Sequence, residues 1–354
     1  MSRDIFRPGG PLDVRNTGID TYTASVTLPT DGEGRSAREC PNTGCSPGYF
    51  KVKPGTGLTR EPSMFCPYCR TEAKPDEFHT QEQVRYAQDL VMNEVRVGFD
   101  DLLRDALGLG AGGKRKFGGG FVSMEMSLKS EPLPPVLPPL EEEVRRDVVC
   151  PHCTLDQTVF GLATWCSDCG QDIFLTHIEG ELNVVGCMVG DIGRREQELG
   201  RRVAAKDLEN CLEDAVSIFE AAMKAMTRRF LEGKGSDSQA VEEYFVKQGN
   251  AFQNVGRTKK ILAELVGSAP ADNVPWDELN AAFEKRHPIT HNLGVVDRQY
   301  ISRAKSGDRH GREVRVTVDE IKDVLGHVLR TLSLVHRAMW PLEPDSTPSK
   351  EIAP

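Results

Sequence analysis

Eight of the ten cysteines fall into four close pairs, and their spacing is that of metal ligands. Cys40-x4-Cys45 and Cys66-x2-Cys69 are separated by twenty residues, and Cys150-x2-Cys153 and Cys166-x2-Cys169 by twelve. Zinc takes four ligands in a tetrahedron, and thiolates a few residues apart in a tight turn can reach one ion. Two such knuckles complete the shell, and the metal supplies folding energy to modules too small for a large core. Two structural Zn²⁺ sites are therefore expected, in a ribbon at 40–70 and in a second ribbon with a hairpin at 150–190. Disulfides are the alternative, but residues 1–10 hold no apolar run of signal-peptide length, which points to a reducing, cytoplasmic setting. All-cysteine sets leave no open position for catalysis at the metal. Whether such ribbons meet DNA, RNA or protein stays open. Cys187 and Cys211 lack partners at ligand spacing and are expected as small buried hydrophobes. His152 and His177 are expected to be bystanders.

The second group with chemical potential is Phe283-Glu284-Lys285-Arg286-His287-Pro288-Ile289-Thr290-His291-Asn292-Leu293-Gly294. A guanidinium is permanently charged and can grip a phosphate with two parallel hydrogen bonds. An imidazole gives or takes a proton near neutral pH. RNA carries its own nucleophile, the 2′-hydroxyl, so a site that deprotonates it and neutralises the crowded phosphate can cleave the chain. Arg286 and His291 lie five residues apart, about 140° around a regular helix. They converge within one chain only if Pro288 breaks the helix. Otherwise the site is completed across a two-fold axis. The plain alternative is an exposed helix end with solvated charges.

Arg286-x4-His291, with a polar residue after the arginine and Asn292-Leu293-Gly294 after the histidine, resembles the R-x(4–6)-H signature of HEPN domains. The order of the surrounding elements fits: a long first helix, a helix opened by Ala251-Phe252-Gln253-Asn254-Val255, the motif, then an amphipathic helix at 317–339. The resemblance covers about residues 200–340. It implies a small helical bundle, usually dimeric, and often a metal-independent ribonuclease of toxin–antitoxin, CRISPR or other antiviral systems. Carried over by position, Arg286 stabilises the phosphate, His291 is the general acid/base and His287 assists. The implied products are a 2′,3′-cyclic phosphate and a 5′-hydroxyl. Some members are inactive and serve as binding domains. Beyond the motif, Asn292, Arg298, Arg303 and Lys305 are candidate substrate contacts, in a stretch that continues through Arg309, Arg312 and Arg315.

The elements that must carry these groups follow from periodicity and composition. The chain has 354 residues, 27% charged and 38% hydrophobic, with no apolar run of membrane-spanning length. Its net charge is −9: residues 201–340 hold 22 Lys and Arg against 20 Asp and Glu, and the remainder 22 against 33. The acidity therefore lies mostly outside the C-terminal half. Expected are a flexible tail at 1–39 with one strand near Thr21–Leu28, and a linker region at 71–149. That region holds a helix over Thr80–Leu107, a glycine-rich linker at Gly108–Gly120, a strand at Phe121–Leu128 and a polyproline spacer at Pro132–Pro139. Asp172–His177 and Glu181–Val185 are expected as strands joined at Glu179-Gly180. Helices are expected at Lys206–Glu232, 238–247, 250–266, 276–287 and 317–339, followed by a tail at 341–354. The predicted class is multidomain: two small β-rich zinc ribbons, then an all-α HEPN-like bundle. Gly108-Leu109-Gly110-Ala111-Gly112-Gly113-Lys114-Arg115 approaches a phosphate-binding loop, but Arg115 stands where a hydroxyl must ligate Mg²⁺, and a helix precedes it instead of a strand. The sequence thus points to a metal-independent ribonuclease, homodimeric, with RNA as substrate and the ribbons holding nucleic acid or a protein. The alternative is a non-catalytic adaptor.

Overall fold

The computed structural model describes residues 6, 12–18, 21–58, 63–109, 113–118, 123–140, 142–267, 274–304 and 307–341. The chain divides into two compact units, 1–160 with 165–171, and 161–164 with 172–354.

In the first unit, strands β1 (Asp13–Gly18) and β2 (Thr21–Ser25) form a ribbon. Strands β3 (Ser36–Glu39) and β4 (Tyr49–Val52) form a hairpin around the first cysteine pair, followed by the short pair β5 (Met64–Phe65) and β6 (Glu72–Ala73). Helix α1 (Gln81–Ala106) starts where the Thr80 hydroxyl accepts from the Gln83 amide and Gln83 reciprocates, a capping box. Strands β7 (Lys114–Phe117) and β8 (Met124–Ser127) form a second ribbon. Strands β9 (Arg146–Val149) and β10 (Asp156–Val159) flank the third cysteine pair.

Three expectations change here. The two cysteine modules are not separate ribbons, because β10 pairs antiparallel with β4, matching Gln157 to Val52 and Val159 to Phe50. One four-stranded sheet, β3-β4-β10-β9, carries both. Residues 36–39 are an edge strand of that sheet and not tail. The glycine-rich stretch also contains β7, so it is more than a linker; residues 110–112 and 119–122 lie outside those described.

The second unit is helical: α2 (Phe174–Gly190), α3 (Ile192–Leu199), α4 (Arg201–Gly233), α5 (Ser238–Gln248), α6 (Val255–Val266), α7 (Trp276–His291), α8 (Arg298–Ala304) and α9 (Val318–Met339). The expected hairpin at 172–185 is instead α2. Phe174, Ile178, Leu182, Val185 and Val189 are buried at helical spacing and pack with α4 and α9. The segment thus belongs to the bundle, and the second ribbon ends near Gln171. Helix α4 is the axial element, burying Leu212, Val216, Phe219, Met223 and Met226, and Phe219 meets Phe283 of α7 edge-on at 5.1 Å. Cys211 is buried as expected, whereas Cys187 is exposed. No helix among the described residues is long and apolar enough to cross a membrane.

Candidate metal centres and a cationic cleft

Each Cys-x2-Cys knuckle closes in the same way. The amide of the residue after the second cysteine donates to the carbonyl of the first: Arg70 to Cys66, Thr154 to Cys150 and Gly170 to Cys166, each at 3.0 Å. All three residues are left-handed, with φ of 61°, 66° and 63°. That conformation costs roughly 1–2 kcal/mol for a residue with a Cβ, so at Arg70 and Thr154 it is held by its surroundings. At Gly170 the missing Cβ also admits the Phe65 ring, whose atoms would stand 3.1 Å from it.

These turns gather the sulfurs into two sets, Cys40, Cys45, Cys66 and Cys69, and Cys150, Cys153, Cys166 and Cys169, each within 4.8 Å. Nearest sulfurs are 3.6 Å apart for Cys40–Cys69, 3.7 Å for Cys45–Cys66, 3.7 Å for Cys150–Cys169 and 3.4 Å for Cys153–Cys166. A zinc–thiolate bond of about 2.3 Å requires tetrahedral edges of roughly 3.8 Å. The spacing fits a four-coordinate ion and is far beyond a disulfide bond. Electrostatics point the same way. Burial pushes the Cys153 thiol up to about 12 and raises Cys166 as well. Thiol hydrogen bonds from Cys45 and Cys66 hold Cys69 below the ordinary range, and Cys66 is raised by its thiol neighbours and by burial. Each cluster left to itself thus resists carrying four thiolates, and a divalent cation bound there would supply the missing charge. The residues fit a structural zinc ion in both sets. His152 is exposed, and His177 lies elsewhere, its Nδ1 accepting from the Ala163 amide at 2.8 Å. Trp165 packs under the Arg70 guanidinium at 4.3 Å.

In the helical unit, α7 runs unbroken through Pro288 to His291. Pro288 is buried one turn from the helix end, and its carbonyl accepts from the amides of Asn292 and Gly294. The expected break is therefore absent: the proline removes one amide donor, and the backbone nevertheless stays helical for a further turn. Arg286 and His291 thus keep their angular separation of about 140° within one chain. His287 stands between them in angle, one turn before His291, with ring centroids 4.9 Å apart.

Arg286 and His287 line a cleft of about 500 Å³ together with Arg257, Arg303, Gln253, Asn254 and Glu284. Arg286 donates to Gln253 Oε1 at 2.9 Å, and Gln253 donates to Glu220 Oε2 at 2.7 Å. Lys224 neutralises Glu220 at 2.7 Å. The Arg286 guanidinium is therefore oriented by an uncharged amide. Periodicity did not reveal this relay, since Glu220 and Gln253 are remote from the motif. Arg257 also had no sequence signal beyond its type.

The other expected contacts are dispersed. Asn292 donates to Asp297 Oδ2 at 2.9 Å, and Asp297 is held below the usual carboxylate range, chiefly by the Tyr300 amide. Arg298 begins α8 and is exposed, whereas Lys305 lies outside the described residues. The loop after α8 returns to the motif through the Val296 amide, which donates to the Arg312 carbonyl at 2.8 Å, and the Val314 amide, which donates to the Gly294 carbonyl at 2.7 Å. Of the site predicted from sequence, Arg286, His287 and Arg303 share the cleft, His291 adjoins it through His287, and Asn292 faces Asp297. Comparison with models of known protein families, with curated proteins and with solved structures finds no match to this chain.

Proposed function

We propose that the helical unit is a metal-independent endoribonuclease of the HEPN kind, and that the sheet with its two zinc ions positions nucleic acid or a protein partner. The observation that carries this reading is the cleft. Arg257, Arg286 and Arg303 surround it, and no carboxylate pairs with any of them among the described residues. His287 lines it, and His291 follows one turn later on α7, its ring 4.9 Å from that of His287. Permanent cations suit a phosphodiester, and imidazoles suit proton transfer to and from its oxygens.

In this reading a neutral imidazole takes the proton of the 2′-hydroxyl while the 2′-oxygen attacks phosphorus. The bond to the 5′-oxygen breaks, and that oxygen receives a proton from a protonated imidazole. A 2′,3′-cyclic phosphate and a 5′-hydroxyl result. Arg286 offsets the charge that grows on the non-bridging oxygens. His291 is assigned the principal acid/base role and His287 the supporting one. The unbroken α7 favours completion of each site by a second copy.

The same helix geometry also favours a second reading, an adaptor in which the helical unit only dimerises and binds. Incubation of the protein with mixed RNA in EDTA separates the two. Cleavage that persists in chelator and falls about 10²–10⁴-fold in Arg286→Ala and His291→Ala supports the enzyme. Binding without cleavage, or equal cleavage by the variants, refutes it.

A further inference from the structure

We propose that the β7–β8 ribbon is a nucleic-acid-binding arm that grips the phosphate backbone. A two-stranded ribbon with no covered face is marginal in water. Yet Lys114, Arg115, Lys116, Met124, Glu125 and Ser127 are exposed, and Phe117 and Met126 are only half-buried. The ribbon is nonetheless anchored at its base. The Leu128 amide donates to the Gly113 carbonyl at 2.9 Å, and the Leu109 amide ties the start of the loop to Arg104 at 2.8 Å. Arg115 donates to the Leu107 carbonyl at 3.2 Å and lies 4.7 Å over the Phe117 ring. Gly108, at φ 60°, makes room for it, since a Cβ there would sit 2.2 Å from Arg115 Nη1. An ordered structure with bare faces calls for a ligand on those faces.

Charge identifies the ligand. Lys114-Arg115-Lys116 is the only run of three consecutive cations in the chain, and it stands in the acidic part of the sequence. Residues 114–127 carry three cations against one carboxylate, Glu125. Glu125 lies 3.5 Å from Lys114 and 3.9 Å from Lys116, an exposed arrangement too weak to neutralise both. Lys114 and Lys116 share one face, about 6.8 Å apart along the strand. Two cations held at that spacing on one face can meet neighbouring phosphates of a nucleic-acid strand. The opposite face presents Arg115, Phe117 and Met126, a cationic and aromatic surface of the kind on which bases stack. The arm's chemistry is independent of the ribonuclease reading.

The test is fluorescence anisotropy with a labelled RNA strand and a DNA duplex, using full-length protein between 50 and 200 mM salt. Each phosphate contact changes log K against log salt by about 0.7–0.9, so three contacts account for a roughly 20- to 40-fold loss across that range. The variant Lys114→Gln, Arg115→Gln, Lys116→Gln is expected to lose that much salt sensitivity while cleaving or failing to cleave RNA just as its parent does. Glu125→Gln, which keeps all the cations, is expected to bind more tightly and guards against a misfolded triple variant. Unchanged affinity and slope in both variants overturn the proposal. So does a wild-type protein that binds anionic vesicles of phosphatidylserine and neither nucleic acid.

Discussion

Replacing Cys166 by serine tests whether metal builds the sheet where the consequences are largest. Cys166 is fully buried, and its sulfur is 3.4 Å from that of Cys153. Serine is a poor zinc ligand, so the second set falls to three thiolates. Around the sheet the large buried side chains are Phe50, Val52, Met64, Phe78, Val148, Leu155 and Val159. At about 1.5–3 kcal/mol each, their burial contributes roughly 10–20 kcal/mol before the entropy of folding is subtracted. A structural zinc contributes about 10–16 kcal/mol. An ion bound in this set would therefore matter as much as the whole apolar core of the sheet, and its loss is expected to dissolve β9 and β10. Because β10 pairs with β4, the first site should weaken too. Elemental analysis is expected to find two zinc ions per wild-type chain and at most one in Cys166→Ser. Thermal melting should lose the β transition while keeping that of the helical core, which is a separate cluster. Two ions retained with an unchanged melt, or no zinc in the wild type, would refute this reasoning.

Asp172 gives a stability prediction with a sign. Burial pushes its carboxyl up, but His336 at 3.4 Å, the Phe174 amide at 2.9 Å and the Arg229 guanidinium outweigh it and hold the group at about 2. A depressed value means the folded state favours the carboxylate. The contribution, about 2 kcal/mol from the shift, is complete above an ordinary carboxylate value and is lost as pH falls through about 2. Asp172→Asn should therefore lower stability by about 2 kcal/mol in denaturant melts at pH 7, with the difference shrinking below pH 4. A constant difference at all pH would contradict the assignment. If the catalytic centre is shared across a two-fold axis, mixing inactive Arg286→Ala with inactive His291→Ala should restore about one quarter of wild-type cleavage, since half the dimers are mixed and each has one intact site. No recovery after confirmed subunit exchange would place both groups of a site in one chain.

The sequence made the helices legible wherever an apolar stripe was long, as in α4 and α9, and the clustered cysteines legible wherever turns set their spacing. It misled at α2. Ile173, Phe174, Leu182, Val184 and Val185 flank Gly180, and this content imitates two strands, although Phe174, Ile178, Leu182, Val185 and Val189 already follow a helical period. The joining of the ribbons was hidden because pairing of Phe50 with Val159 spans about a hundred residues and leaves no local trace. Pro288 was read as a break, but the helix loses one bond there and continues a further turn to His291. The cleft was half legible. Its motif residues stood out by type, but Gln253 and Glu220, which aim Arg286, are brought there by packing of α4 against the turn before α6.

The central claim is that Arg286 and the two histidines work on a phosphodiester that supplies its own nucleophile. The most direct measurement compares a single-stranded RNA with the same sequence carrying 2′-O-methyl groups, in EDTA, with the product ends identified by mass spectrometry. The account predicts cleavage of the unmodified strand alone, leaving 2′,3′-cyclic phosphate and 5′-hydroxyl ends. Cleavage of both strands, or 5′-phosphate ends, would contradict it.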